Sequence, residues 1–66
     1  MTTFMAQSPM RESFVIKADD VEKATWKLIS FFKSKGFHAK KSNFGEVTVF
    51  NSIRIPYTIT EAIIVE

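Results

Sequence analysis

The sequence predicts an α+β domain in which one amphipathic helix packs on a small, mainly antiparallel sheet, in the order β-α-β-β-β(-β). Three observations support this fold class: a well-delimited helical segment, apolar residues that alternate on both sides of it, and turn residues between the later strands. At 66 residues, the chain has the size of one small domain. Its hydrophobic content of 45% and charged content of 24% are typical of a globular protein.

The helix is predicted over residues 19–35. Asp19 and Glu22 have the spacing of a capping box at its start, and Gly36 can adopt the left-handed conformation that ends a helix. At about 100° per residue, one face of the helix is apolar. That face consists of Val21, Ala24, Thr25, Leu28, Phe31 and Phe32. Trp26, the only tryptophan, lies outside this face.

Residues 1–10 contain Ser8-Pro9 and small polar residues without a clear period, so we expect a flexible N-terminal arm. Residues 11–66 then form a single compact domain. The first strand is predicted over residues 12–18. In this segment Phe14, Ile16 and Ala18 alternate with Ser13, Val15 and Lys17.

After Gly36 the pattern changes to period two, which predicts a short strand with Phe37, Ala39 and Lys41 on one side and His38 and Lys40 on the other. Turn residues at 42–45 precede a strand over 46–50, and a tight turn at 51–52 precedes a strand over 53–60. Pro56 indicates that one side of this last strand is an edge. Residues 62–65 are continuously apolar, which predicts a further strand buried on both sides after a bend near Glu61.

Few residue combinations in this chain are suited to catalysis or to metal binding. Cysteine is absent, His38 is the only histidine, and neither glycine belongs to a phosphate-binding loop. We therefore expect no catalytic residues, no cofactor and no metal. No apolar run reaches the roughly 18 residues needed to cross a bilayer, and the N-terminal residues lack the pattern of a secretory leader. These features favour a cytoplasmic protein.

Trp26 favours a non-enzymatic protein-binding module, a small regulator or inhibitor that acts by occupying a partner's surface. Tryptophan is enriched at binding hot spots because it combines a large apolar area with an N–H donor. The predicted partner-binding residues are Trp26, Ile29, Ser30 and Lys33. In the alternative structural interpretation, the N-terminal arm folds over Trp26, or the indole lies along the aliphatic parts of Lys23 and Lys33.

A nucleic-acid-binding protein is the alternative function. Basic residues interleaved with aromatic ones suit single-stranded nucleic acid, because the charges contact phosphates and the rings stack on bases. The segment from Lys33 to Lys41 with Phe44 has this composition. The patch residues are Lys35, His38, Lys40, Lys41 and Phe44. The net charge of +2 is too small to decide between the two functions.

Self-association is a further expectation. One helix covers only one face of a small sheet, and the alternation places Val15, Phe50 and Ile64 on the opposite face. A homodimer that stacks these faces, or that pairs exposed strand edges, would bury this apolar surface and enlarge the core of a small domain.

Overall fold

The computed structural model describes residues 2–10, 12–51 and 53–63, and it confirms an α+β fold with one helix on a five-stranded antiparallel sheet. The elements in chain order are β1 (Thr2–Gln7), β2 (Ser13–Ala18), α1 (Val21–Ser34), β3 (His38–Asn43), β4 (Glu46–Asn51) and β5 (Ile53–Glu61). In space the strands lie in the order β2-β1-β5-β4-β3. No helix among these described residues is long and apolar enough to cross a membrane.

The flexible N-terminal arm predicted over residues 1–10 is wrong for residues 2–7, which form a central strand. β1 pairs with β2 on one side and with β5 on the other. Phe4 and Ala6 are buried against the helix, at 6% and 0% exposure. The strand is hard to recognise in the sequence because only these two of its residues are buried, and one of them is alanine.

The helix starts one residue later than the capping box predicts. Asp20 is the N-cap residue, and its carboxylate accepts a hydrogen bond of 2.8 Å from the Lys23 backbone N–H. The third helical position is therefore Lys23 rather than an acidic residue, and the reciprocal half of a capping box is absent. Asp19 instead forms an exposed ion pair of 3.2 Å with the Lys23 ammonium, which lowers the pKa of the Asp19 carboxyl.

Gly36 ends the helix as predicted, with a φ of 88°. Its N–H donates to the Lys33 carbonyl, and the Phe37 N–H donates to the Phe32 carbonyl, each at 3.0 Å. These two bonds are the Schellman arrangement, in which a left-handed glycine lets the next residue bond back across the last turn. The rings of Phe32 and Phe37 then meet at 6.1 Å, which explains Phe37 as a structural residue.

The core lies between α1 and one face of the sheet. The buried hydrophobic residues are Phe4, Ala6, Ile16, Ala18, Ala24, Leu28, Ile29, Phe32, Val47, Val49, Tyr57 and Ile59. The buried face of α1 is rotated from the predicted one: Ile29 is buried, while Val21 and Phe31 are 36% and 41% exposed. Trp26 is 48% exposed, so it lies outside the core as the periodicity predicts.

Pro56, which has no backbone N–H, lies where β5 has a neighbouring strand on one side only among the described residues. β5 pairs with β4 from Ile53 to Thr58, and its pairing with β1 covers only Thr58 to Glu61. Pro56 therefore lies where the described part of the sheet has no neighbour on the β1 side, and its missing N–H costs no ladder hydrogen bond there.

The first two residues of the strand predicted over residues 62–65 are not in a strand. Ala62 and Ile63 lie outside the strands, and Ile63 is 85% exposed. The rest of that prediction, including Ile64, falls outside the described residues, as does Ser52 of the predicted turn at 51–52.

Strand alternation divides the sheet into the face covered by α1 and an opposite face, which we call the open face. Residues of the open face include Met5, Val15, Lys17, His38, Lys40, Glu46, Thr48, Phe50, Arg54, Pro56, Thr58 and Thr60. Most of these side chains are polar or charged. The apolar residues Val15 and Phe50 therefore lie on a face that is largely polar.

Candidate functional site

The surface beside the helix carries a cluster formed by Trp26, Lys41 and Phe44, which we call the aromatic–lysine cluster. The Lys41 ammonium lies 3.8 Å from the centre of the Phe44 ring and 5.5 Å from that of Trp26. Both distances are within the range of cation–π attraction. Trp26 and Phe44 remain 48% and 49% exposed, so each ring offers about half of its surface to solvent.

Three different elements bring these side chains together. Trp26 lies on the exposed flank of α1, and Phe44 lies in the turn between β3 and β4. Lys41 pairs with Val47, whose side chain is buried on the helix side of the sheet, so Lys41 also points to that side. A bulge between Lys41 and Asn43 then leads the chain into the turn.

A buried hydrogen bond fixes this turn to the helix. The Gly45 N–H donates to the Thr25 hydroxyl at 2.8 Å, and the same hydroxyl donates to the Val21 carbonyl at 2.7 Å. Gly45 has a φ of 89°, and a Cβ at this position would lie 3.3 Å from the Ile59 carbonyl oxygen. The turn that presents Phe44 is therefore specified by a glycine and by a fully buried threonine.

We expect Thr25→Val to lower the free energy of unfolding by roughly 1–3 kcal/mol, because it leaves the buried Gly45 N–H without a partner. Thr25→Ser is the matched control, since it keeps the hydroxyl. Urea denaturation of the two variants measures the difference. Equal stability of Thr25→Val and the wild type would show that this hydrogen bond does not fix the turn.

The other residues predicted to bind a protein partner have two different environments. Ile29 is 3% exposed and belongs to the core, so it cannot contribute to a surface contact. Ser30 and Lys33 are exposed on α1. Lys41 and Phe44 were not predicted as part of the surface around Trp26, because the position of the turn relative to the helix depends on tertiary packing.

The residues of the predicted nucleic-acid patch are separated by the fold. Lys41 and Phe44 belong to the aromatic–lysine cluster on the helix side of the sheet. His38 and Lys40 lie on the open face, in agreement with the predicted alternation of this strand. Lys35 lies at the end of the helix, with its ammonium 5.6 Å from the centre of the Phe31 ring. These five residues therefore do not form one patch.

A groove of about 500 Å³ lies on the sheet beside Lys40. Its lining residues are Lys40, Lys41, Ser42, Thr48, Phe50, Arg54 and Pro56. The Arg54 guanidinium lies 5.6 Å from the centre of the Phe50 ring. Arg54 and Thr48 were not predicted as site residues, although strand alternation places them on the face of His38 and Lys40.

The residues predicted for self-association are not adjacent where they are described. Val15 is 66% exposed on β2, at one edge of the sheet. Phe50 is partly buried on β4, on the same open face. β1 and β5 separate these two strands. Ile64 falls outside the described residues.

A buried phenol is the most strongly perturbed titratable group. Tyr57 is 2% exposed, and its hydroxyl donates a hydrogen bond of 2.9 Å to the Glu12 carboxylate. Burial, and secondarily the contact with Glu12, raise the pKa of Tyr57 to about 12. Among the described residues, no group of three His, Asp or Glu side chains could hold a metal ion.

The chain matches no protein-family model, no curated protein and no solved structure.

Proposed function

We propose that this protein is a small non-enzymatic protein-binding module, a regulator or inhibitor that acts by occupying a partner's surface through the aromatic–lysine cluster. The observation that carries this proposal is the pair of half-exposed rings, Trp26 and Phe44, on either side of Lys41. Exposed Ser30 and Lys33 on α1 supply polar groups at the rim.

The two rings have the character of an interface centre. A hot spot typically combines large aromatic side chains with a surrounding polar rim that excludes water. The rings are also held in place before binding, because Thr25 fixes the turn and Trp26 is part of a helix. Such preorganisation reduces the entropy lost when a partner binds.

The charge of the cluster indicates the chemistry of the partner. Among the described residues, no carboxylate lies within ion-pair distance of the Lys41 ammonium. An acidic side chain of the partner could contact Lys41 while a neighbouring apolar side chain packs on Trp26 and Phe44. We therefore infer a protein segment that combines acidic and apolar residues.

The test uses Trp26 as its own reporter, because it is the only tryptophan of the chain. A partner captured with the tagged protein after nuclease treatment is purified and titrated against the wild type. We expect its binding to shift the fluorescence of Trp26. Trp26→Ala should weaken the affinity, measured by calorimetry, by about 30-fold or more, the effect of a hot-spot residue.

Val15→Ala is the matched control, since Val15 is an exposed apolar residue on the opposite face. Lys41→Gln should weaken binding and reduce its salt dependence, whereas Val15→Ala should change neither. A partner that binds Trp26→Ala as tightly as the wild type, or that leaves the fluorescence unchanged, would contradict the proposal.

Two further parts of the proposal concern the state of the protein in the cell. We propose a cytoplasmic location, because the absence of cysteine suits a reducing compartment. A homodimer through the open face also stays a proposal. The polar character of that face reduces the apolar area that such a dimer would bury, and sedimentation at micromolar concentration tests it directly.

A further inference from the structure

We propose that the groove on the open face is a binding site for single-stranded nucleic acid, centred on Lys40, Phe50 and Arg54. This proposal does not rest on the proposed protein-binding function. Lys41 also lines the groove, but the centre of the groove at Lys40, Phe50 and Arg54 lies on the sheet face opposite the helix. The site also differs from the patch predicted from the sequence, since it takes Phe50 and Arg54 in place of Lys35 and Phe44.

The charges around the groove favour a polyanion. Lys40 and Arg54 both line it, and none of its lining residues is acidic. His38 lies beside it, since it pairs with Phe50 on the same face. Glu46 is the nearest carboxylate along β4, and it pairs with Thr58 beyond the end of the groove. The surface around the groove is therefore more basic than the small net charge of the chain indicates.

Three of the seven acidic residues of the chain lie at the helix, away from the open face. Asp19, Asp20 and Glu22 lie at the start of α1, which packs on the opposite face of the sheet. A nucleic-acid strand along β3, β4 and β5 therefore meets the basic side chains without passing the helix terminus. Charge complementarity of this kind supplies most of the affinity of nonspecific nucleic-acid binding.

The groove also offers groups that contact bases. Phe50 is partly buried and lies at the centre of a triple of paired residues, between His38 on β3 and Arg54 on β5. An aromatic ring beside a guanidinium suits a base that stacks on the ring while its phosphate contacts Arg54. The Ser42 and Thr48 hydroxyls lie 3.2 Å apart and provide additional hydrogen-bonding groups.

The shape of this surface favours single strands over duplex. The site lies on the face of a sheet, and the helix that could enter a major groove packs on the other side. The bases of a flexible single strand can stack on an exposed sheet, whereas the bases of a duplex are stacked on one another and cannot do so. An acidic peptide would use the same charges but would gain little from stacking on Phe50.

The test titrates labelled oligonucleotides of about 12 nucleotides, of mixed sequence and single-stranded, beginning at about 50 mM salt. We expect an affinity that falls as salt rises. Lys40→Gln and Arg54→Gln should each reduce the slope of log affinity against log salt by about one phosphate contact. Lys27→Gln is the matched control, because it removes the same charge from the exposed helix surface and should leave the slope unchanged.

Phe50→Ala should weaken binding by roughly 5- to 150-fold, the range expected for loss of one stacked base. Because this change could also disturb the sheet, Phe50→Tyr is measured beside it and should restore binding. Amide NMR signals of β3, β4 and β5 should shift on titration, while those of α1 should not.

Three results would overturn the proposal. The first is the absence of binding to any single strand at about 50 mM salt, where phosphate contacts are strongest. The second is an equal affinity for duplex or for polyglutamate, which would show a general preference for polyanions or acidic peptides. The third is an unchanged salt slope in both Lys40→Gln and Arg54→Gln.

Discussion

Leu28→Ala is expected to lower the free energy of unfolding by about 2–5 kcal/mol, the largest effect of any single truncation considered for this protein. Leu28 is 2% exposed and is among the largest fully buried side chains of the described residues. Its removal leaves a cavity between α1 and the sheet that the backbone cannot close. The free energy of unfolding of a folded domain is only about 5–15 kcal/mol. A loss of this size should therefore lower the melting temperature of the variant far below that of the wild type.

Two controls make this result informative. Leu28→Met conserves volume and should cost less than about 1.5 kcal/mol. Trp26→Ala should also be milder than Leu28→Ala, because the indole is half exposed. If thermal denaturation shows equal losses for Trp26→Ala and Leu28→Ala, Trp26 is a core residue and the protein-binding proposal loses its main support.

Alkaline pH is expected to destabilise the protein through Tyr57. Its pKa is about 12 in the folded state, against about 10 in an unfolded chain, so the folded state favours the neutral phenol. The resulting stabilisation is complete below about pH 10 and is lost as the pH rises from about 10 to 12, because the unfolded state ionises first. Two pKa units correspond to about 3 kcal/mol.

Tyr57 is the only tyrosine, so the ultraviolet absorbance of tyrosinate measures its pKa directly. Urea denaturation between about pH 9 and pH 12 should show a steeper loss of stability in the wild type than in Tyr57→Phe. This comparison cancels the titration of the lysines, which both proteins share. A folded protein in which Tyr57 ionises near its ordinary pKa would contradict the expected burial and its hydrogen bond to Glu12.

The features predicted correctly from the sequence depend on local rules. The alternation of Phe14, Ile16 and Ala18 identifies the inward face of β2, because side chains on a strand alternate in direction. Gly36 and Gly45 occupy the turns where a positive φ is required. The opposite directions of Lys40 and Lys41 follow from the same alternation.

The features that were missed depend on contacts between distant parts of the chain. The strand character of residues 2–7 comes from pairing with β2 and β5 rather than from their own composition. Trp26, Lys41 and Phe44 meet because the turn is fixed by tertiary hydrogen bonds, from Gly45 to Thr25 of α1 and from Ile59 of β5 to Gly45. Similarly, Phe50 and Arg54 become neighbours through the register of β4 and β5.

The interior position of β1, between β2 and β5, has a consequence for the order in which the strands pair. β1 and β2 form one antiparallel pair, and β3, β4 and β5 form a second antiparallel unit. The contact of β1 with β5 joins these two units and pairs Phe4 with Glu61, near opposite ends of the chain. Contacts between residues that are far apart in the sequence form slowly. The pairing of β1 with β5 should therefore be the last part of the sheet to form. During synthesis the two units must therefore remain apart, each with an unpaired strand edge, until the residues near Glu61 have left the ribosome.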